Sequence, residues 1–254
     1  MTSAHATHPG QVQQNNEDSI RTDDSLGIYL LADGMGGHNS GEVASTLAVD
    51  VVYMGLKQSI ATTPDDGLFD LMANTMQSAH WEINQKARTS LSYMGMGTTL
   101  VVAVVREDTS YIAHAGDSRA YHFQTQPHPY PSPPSFGSAL VRLEKEGTYL
   151  QRLTNDHTMG DQLLANGVPR EQIPERQFHT LTQSIGCGDA PIPDFNTVEL
   201  SQGDMLLLCS DGLTDMLTDT GTNSESSMQA HQTAGRHYTG DGPGSKRNAG
   251  GEGL

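Results

Sequence analysis

Apolar positions in the first third of the chain change their period twice. Residues 28–33, IYLLAD, form an uninterrupted apolar run of strand length that closes on an acid. Val43, Leu47 and Val51 then recur at helical spacing, with Asn39 or Ser40 placed to cap the helix. A longer helix follows. Thr63 can cap it, Pro64 suits its first turn, and Leu68, Met72, Met76, Ala79, Ile83 and Ala87 mark one buried face at steps of three and four. The methionines on that face read as core filler.

Residues 97–105, GTTLVVAVV, are apolar on both alternating faces, turn at REDT and return as SYIAHAGDSRAYHF. The pattern predicts a hairpin sandwiched between two layers. Residues 124–139 are rich in proline and polar residues without periodicity, which predicts an extended loop at the far end of a hairpin that resumes with LVRLEKEGTYLQRLT. A spacer fits this stretch better than a proline-motif ligand. Residues 160–179 are polar with a short helical pattern, DQLLANGVPREQI, ahead of LTQSIGCGD. Residues 204–217, DMLLLCSDGLTDML, then repeat the opening theme of an apolar strand followed by an acid and a glycine. After Thr218 the character changes: residues 219–254 contain no Val, Ile or Phe and are dominated by Gly, Ser, Thr and Asn, so a disordered tail is expected there. Residues 1–218 are expected to form one domain.

Charge narrows the function classes. The 254 residues carry 14 basic and 30 acidic side chains, a formal charge of −16, which argues against nucleic acid or an anionic membrane as partner and in favour of cations. No stretch reaches the roughly 20 apolar residues of a membrane span, and MTSAHATHPGQ lacks the pattern of a secretory signal. A soluble, cytoplasmic protein is expected, acting as a monomer. Cys187 and Cys209 have neither metal-finger spacing nor the number of a disulfide scaffold, and read as reduced thiols.

Three apolar strands end close to an acid: Asp33, Asp117 and Asp211, and NNED adds Glu17 and Asp18 near the start. Any one of them is an ordinary turn residue, since Asp-Gly is a favoured turn pair. Three in one small domain are harder to explain in that way. Carboxylates brought together repel unless cations sit between them. The donors are all oxygens, with the Gly34 carbonyl a further candidate, so the expected ions are Mg²⁺ or Mn²⁺. The glycines after Asp33 clear space for a ligand and allow the backbone to approach. A pair of ions about 3.5–4 Å apart can hold a water, lower its pKa and aim it at phosphorus, which points to hydrolysis of a phosphate ester.

The blocks NNEDS, LLADGMGGHNSGEVAS, MGTTLVVAVV, AHAGDSRAY, LTNDHT, LTQSIG and LLLCSDGLTDML, spread in this order over residues 8–217, resemble the signatures of the metal-dependent protein phosphatases of type 2C in their bacterial form. The resemblance implies an α+β fold, a four-layer α-β-β-α sandwich with two central antiparallel sheets. It implies phosphoserine and phosphothreonine in phosphorylated proteins as substrates, and a cognate Ser/Thr kinase whose action is reversed. By position, Asp33 would bridge two metals, Gly34 would offer its carbonyl, Glu17 and Asp18 would act directly or through water, Asp211 would hold one metal, and Asp117 would serve a third, weaker ion. Residues 160–179 would be a flap beside the substrate.

Two departures from the family pattern stand out. Gln13 occupies the position of an arginine that pairs with the substrate phosphate, and a neutral amide lacks that residue's charged fork. The Gly-Gly-x-Asp-Asn-x-Thr block that follows in the family, with its further metal ligand, is replaced by the residues after Thr218, as expected of a truncated or frame-altered end. Next to a working phosphatase, these departures leave open an impaired, phosphoprotein-binding relative or an incomplete fragment. His38 is a candidate proton donor to the leaving oxygen, or else a polar loop residue. His157 reads as structural and Asp156 as a turn former, while Ser118 and Arg119 read as turn and packing residues.

Overall fold

The computed structural model describes residues 1–9, 15–37, 40–124, 142–145 and 148–215. Met1–Met216 form a compact unit. The expected tail at 219–254 and, beyond Gln124, the proline-rich loop lie outside the described residues, as do Gln13, His38 and Asn39.

The α+β class with two antiparallel sheets is as expected. In the first, β1 (Asp18–Asp23) pairs with β2 (Ile28–Met35), which pairs in turn with β4 (Leu100–Arg106). Beyond β4 come β5 (Thr109–Ala115) and β9 (Asp194–Glu199), while the short β3 (Gly97–Thr98) joins the end of β2. The second sheet runs β10 (Met205–Cys209), β6 (Arg119–Gln124), β8 (Thr148–Arg152), β7 (Arg142–Lys145). The stretch after the proline-rich loop thus divides into two strands, and the second of them, β8, bonds to β6.

Alternation within the first sheet explains its apolar runs. Ile28, Leu30, Ala32, Leu100, Val102 and Val104 join one core with the helices α1 (Ser40–Ser59) and α2 (Leu68–Ala87). Tyr29, Val101, Ala103 and Ile112 point the other way, into a second core with Ala120, Leu206 and Leu208 of the second sheet. Both faces of β2 and β4 are therefore dry, as their lack of polar alternation predicts. Each fully buried Leu, Ile, Val or Met contributes roughly 1.5–3 kcal/mol.

Two helix details differ from the sequence reading. On α1 the buried stripe is Ala44, Ala48, Val52 and Leu56, while Val43, Leu47 and Val51 are only partly covered. The packed face is turned by about 100°, one residue around the helix, because the small Ala44 and Ala48 let it lie close to the sheet. Thr63 does not cap α2: its hydroxyl donates to Ser59 O at 2.9 Å, and a 3-10 turn, Asp65–Gly67, leads into the helix instead. The buried face of α2 matches expectation, with Leu68, Met72, Met76, Ala79 and Ile83 fully inside, Met72 and Met76 as core filler. The chain between β8 and β9 carries one short helix, α3 (Met159–Ala165), and two 3-10 turns. No helix among the described residues is long and apolar enough to cross a membrane.

Candidate metal centre

Asp33 lies inside β2, not at its end, because β1 pairs through it: Asp18 is its direct cross-strand partner. Gly34 follows because α1 begins against it. A Cβ at Gly34 would come within 2.1 Å of Gly41 O and 2.8 Å of Glu17 O. The same contact places the Glu17 carboxyl beside Gly41, and the Gly34 N–H donates to Glu17 O at 3.0 Å.

Asp117 and Asp211 arrive from the loops that follow β5 and β10 and line the same cleft as Asp33. The cleft, about 740 Å³, is completed by Met35, Thr99 and residues 179–184 and 187–192. Asp211 opens the one-turn α4 (Asp211–Thr214). Gly116, with φ of 110°, makes the turn into Asp117, and a Cβ there would strike Thr99 at 2.7 Å.

The electrostatics show what this grouping lacks. The Asp33 carboxyl is pushed up to about 9, first by burial, then by the charges of Asp18 and Asp211, by side-chain contact with Asp211, and by Asp117. Asp117 is pushed up to about 7 by burial and then by Asp211 and Asp156, against a weaker opposing pull from Arg119. Asp18 is raised by burial and by Asp211, although the Ser210 hydroxyl, which donates to its Oδ2 at 3.0 Å, works the other way. Glu17 is raised by burial and by Glu42. The charged neighbours that act most strongly on Asp33 are acids. An all-oxygen, anionic donor set that can ionise together only beside cations fits hard divalent ions.

Hydroxyls, none of them singled out from the sequence as site residues, hold this set in place. Thr99 accepts the Asp33 N–H at 3.0 Å through Oγ1 and shares a 2.6 Å contact with Ser118 Oγ, tying the strand of Asp33 to the turn of Asp117. Thr98 Oγ1 donates to Asp33 O at 2.8 Å. A partial signal was present as a serine beside three of the acids: Ser19, Ser118 and Ser210 adjoin Asp18, Asp117 and Asp211. Asp215, raised by burial and by Asp211, is another acid the sequence did not single out. Asp156 proves to be more than a turn former. Buried, it takes a two-oxygen grip from Arg119, at 2.9 and 2.6 Å, and pairs with Arg152.

Residues 6–240 match the family model described as protein phosphatase 2C. The chain belongs to that family. Among curated type 2C relatives it is 31% identical to the serine/threonine phosphatase Stp of Listeria monocytogenes over 225 residues, 87% of this chain and 81% of the relative. It is 34% identical to the protein phosphatase PhpP of Streptococcus pneumoniae over 217 residues, 84% and 78% of the two chains. Among solved structures, the S. agalactiae serine/threonine phosphatase superposes with a TM-score of 0.69 at 28% identity, covering 91% of each chain. The catalytic domain of the phosphatase PstP, solved with two manganese ions, superposes at 0.64 and 26% identity, covering 90% of this chain and 89% of that one.

Proposed function

We infer that this chain is a metal-dependent protein serine/threonine phosphatase that hydrolyses phosphoserine and phosphothreonine in proteins. The observation that carries the reading is the convergence of Asp18, Asp33, Asp117 and Asp211 in a chain of the type 2C family. In this reading Asp33, Asp211, Glu17, Asp18 and the Gly34 carbonyl hold two Mn²⁺ or Mg²⁺ ions, and Asp117 serves a third, weaker one. When bound, such ions supply Lewis-acid chemistry, lowering the pKa of water and offsetting phosphate charge.

The protein's own contribution is placement. The β1–β2 pairing sets Asp18 against Asp33, and the Thr99–Ser118 contact fixes the turn of Asp117. The cleft walls at 179–184 and 187–192 shape the space a phosphoryl group would enter. Gln13 as phosphate contact and His38 as proton donor to the leaving oxygen complete the reading from the sequence. The wider expectation is a four-layer sandwich, working as a cytoplasmic monomer that reverses a Ser/Thr kinase.

The test is turnover of p-nitrophenyl phosphate and of a phosphothreonine peptide with and without millimolar Mn²⁺. Mn²⁺-dependent release of phosphate, lost in Asp33→Ala, is the expected result. Turnover indifferent to both would overturn the reading.

A further inference from the structure

His157 lies outside the acid cluster and was expected to be structural. It is buried against the paired strands β5 and β9, its ring stacked on His114 with centroids 4.6 Å apart and planes 19° from parallel. Ligand atoms of His114, His157 and Asp194 all fall within 4.8 Å of one another, which raises the question of a further metal site. The stacking answers it. An imidazole lone pair lies in its ring plane, and two nearly parallel, stacked rings have no common in-plane point within a bond length of about 2.0–2.1 Å from both nitrogens. The His157 Nδ1 lone pair is moreover already engaged, accepting the Gly116 N–H at 3.3 Å.

The contacts of His157 run instead to both walls of the cleft. Its N–H donates to Gly116 O at 3.0 Å while the Gly116 N–H donates to Nδ1, so the residue before Asp117 is held on both sides. On the opposite side the Thr182 N–H donates to His157 O at 2.8 Å, and Thr158 pairs with Leu181. Nδ1 can accept only if the ring proton sits on Nε2. Nε2 faces Asp194 Oδ2 at 3.2 Å, poorly aligned for a hydrogen bond. The His114 ring, tied through Nε2 to Asn155 O at 2.6 Å, closes the remaining face.

We propose that His157 is a positioning residue that couples the Gly116–Asp117 turn to the Thr180–Ser184 wall of the cleft, with the Asp194 carboxylate facing Nε2. The proposal builds on the phosphatase reading, in which Asp117 serves a metal, but its geometry is independent of that reading. In it, the acceptor at Nδ1 is the decisive atom. An asparagine carries an acceptor at the Nδ1 position, whereas a glutamine amide reaches toward Nε2 and leaves Gly116 unpaired.

The experiment compares the parent with His157→Asn, His157→Gln and His157→Ala, in metal-free protein by backbone amide exchange and in Mn²⁺-loaded protein by p-nitrophenyl phosphate turnover. Exchange should accelerate together at residues 116–118 and 180–184 in His157→Gln and His157→Ala, and stay near the parent rate in His157→Asn. The Mn²⁺ concentration for half-maximal turnover should rise about tenfold in the first two with KM changed far less, and should return toward the parent value in His157→Asn. Should His157→Ala fail to fold, the Asn and Gln variants carry the comparison. Opening of one segment without the other, an unchanged Mn²⁺ midpoint, or an Asn variant as impaired as the Gln variant would overturn the proposal. A parent without Mn²⁺-dependent turnover would refute the phosphatase reading, and the metal-free exchange would still decide the coupling.

Discussion

Asp18 and Asp33 are direct partners across the β1–β2 ladder, a like-charge pair set opposite each other in antiparallel register. Such a pair destabilises a sheet, and here burial and the nearby Asp211 aggravate it. The arrangement stores repulsion in the fold that a cation would release.

Metal-free protein should therefore lose stability as pH rises. Asp33 and Asp117 have folded pKa values raised to about 9 and about 7, so the folded state holds protons that the unfolded chain has given up above about pH 4. Their contribution is favourable at low pH and declines toward pH 7 for Asp117 and pH 9 for Asp33. Asp33→Asn should stabilise the metal-free protein at pH 8 by more than about 1 kcal/mol and by less at pH 5. Urea unfolding in the presence of chelator at the two pH values measures this, and a variant less stable than the parent at pH 8 contradicts it.

Added Mn²⁺ should reverse that penalty in the parent alone. Binding to the folded state raises the melting temperature by mass action, so millimolar Mn²⁺ should raise the parent's melt at pH 8 and leave Asp33→Ala almost unmoved. Turnover by Asp33→Ala should fall about 100-fold or more, at least the loss seen when a group supporting a metal ligand is removed. Calorimetric melting and steady-state assays on the same preparations check both.

Gly34→Ala should be severe for steric reasons. Its Cβ would meet Gly41 O at 2.1 Å, and the obstacle is backbone at the first turn of α1, so the helix would have to retreat from the strand. A loss of about 3 kcal/mol or more is expected. Gly212→Ala, where a Cβ meets nothing within 4 Å, should stay within about 0.5 kcal/mol of the parent. Denaturant midpoints of the two variants give the comparison.

Asp156 pairs with Arg119, two residues after Asp117, and with Arg152. Arg119→Met should cost about 3–5 kcal/mol, since it leaves part of a buried carboxylate uncompensated. Pairing it with Asp156→Leu should recover some of that loss. Equal losses in the single and double variants, measured by urea unfolding, would show that the ion pair is not the cause.

His114 supplies a slope of the opposite sign. Its folded pKa is lowered to about 4, chiefly by burial and then by His157, with smaller opposing pulls from the Asn155 carbonyl, Asp194 and Asp156. The unfolded chain therefore takes up a proton below about pH 6.5 that the folded state refuses. Stability from this residue is lost as pH falls from 6.5 toward 4. Relative to the parent, His114→Phe should flatten the fall in melting temperature over that window, and an unchanged slope would count against a buried neutral His114.

Much of the architecture was legible because it follows from local period. The double-faced apolar runs at 28–33 and 97–105 could only be strands covered on both sides, and the stripe of α2 could only face a core. The acids were legible as types: Asp33, Asp117 and Asp211 stood beside apolar strands, and all three line the cleft. The face of α1 was misjudged because Val43, Leu47 and Val51 outrank alanine in hydrophobicity, while close packing on the sheet favours Ala44 and Ala48. Asp156 passed for a turn residue because its two-oxygen partner Arg119 stands 37 residues away on β6.

By itself, the sequence determined the strands at 28–33 and 97–105, the two long helices, the apolar face of α2, and which residue types are available as oxygen donors, since each depends on neighbours a few positions away. β1 and β9, too short and polar to stand out, were not read. Register, close approach and protonation were decided only in three dimensions. That Asp18 opposes Asp33, that Gly34 must admit Gly41, and that Asp211 comes close enough to raise the Asp33 pKa all depend on distances between segments far apart in the chain. Repulsion between like charges falls off with separation and depends on burial, and neither quantity exists until the sheets have packed.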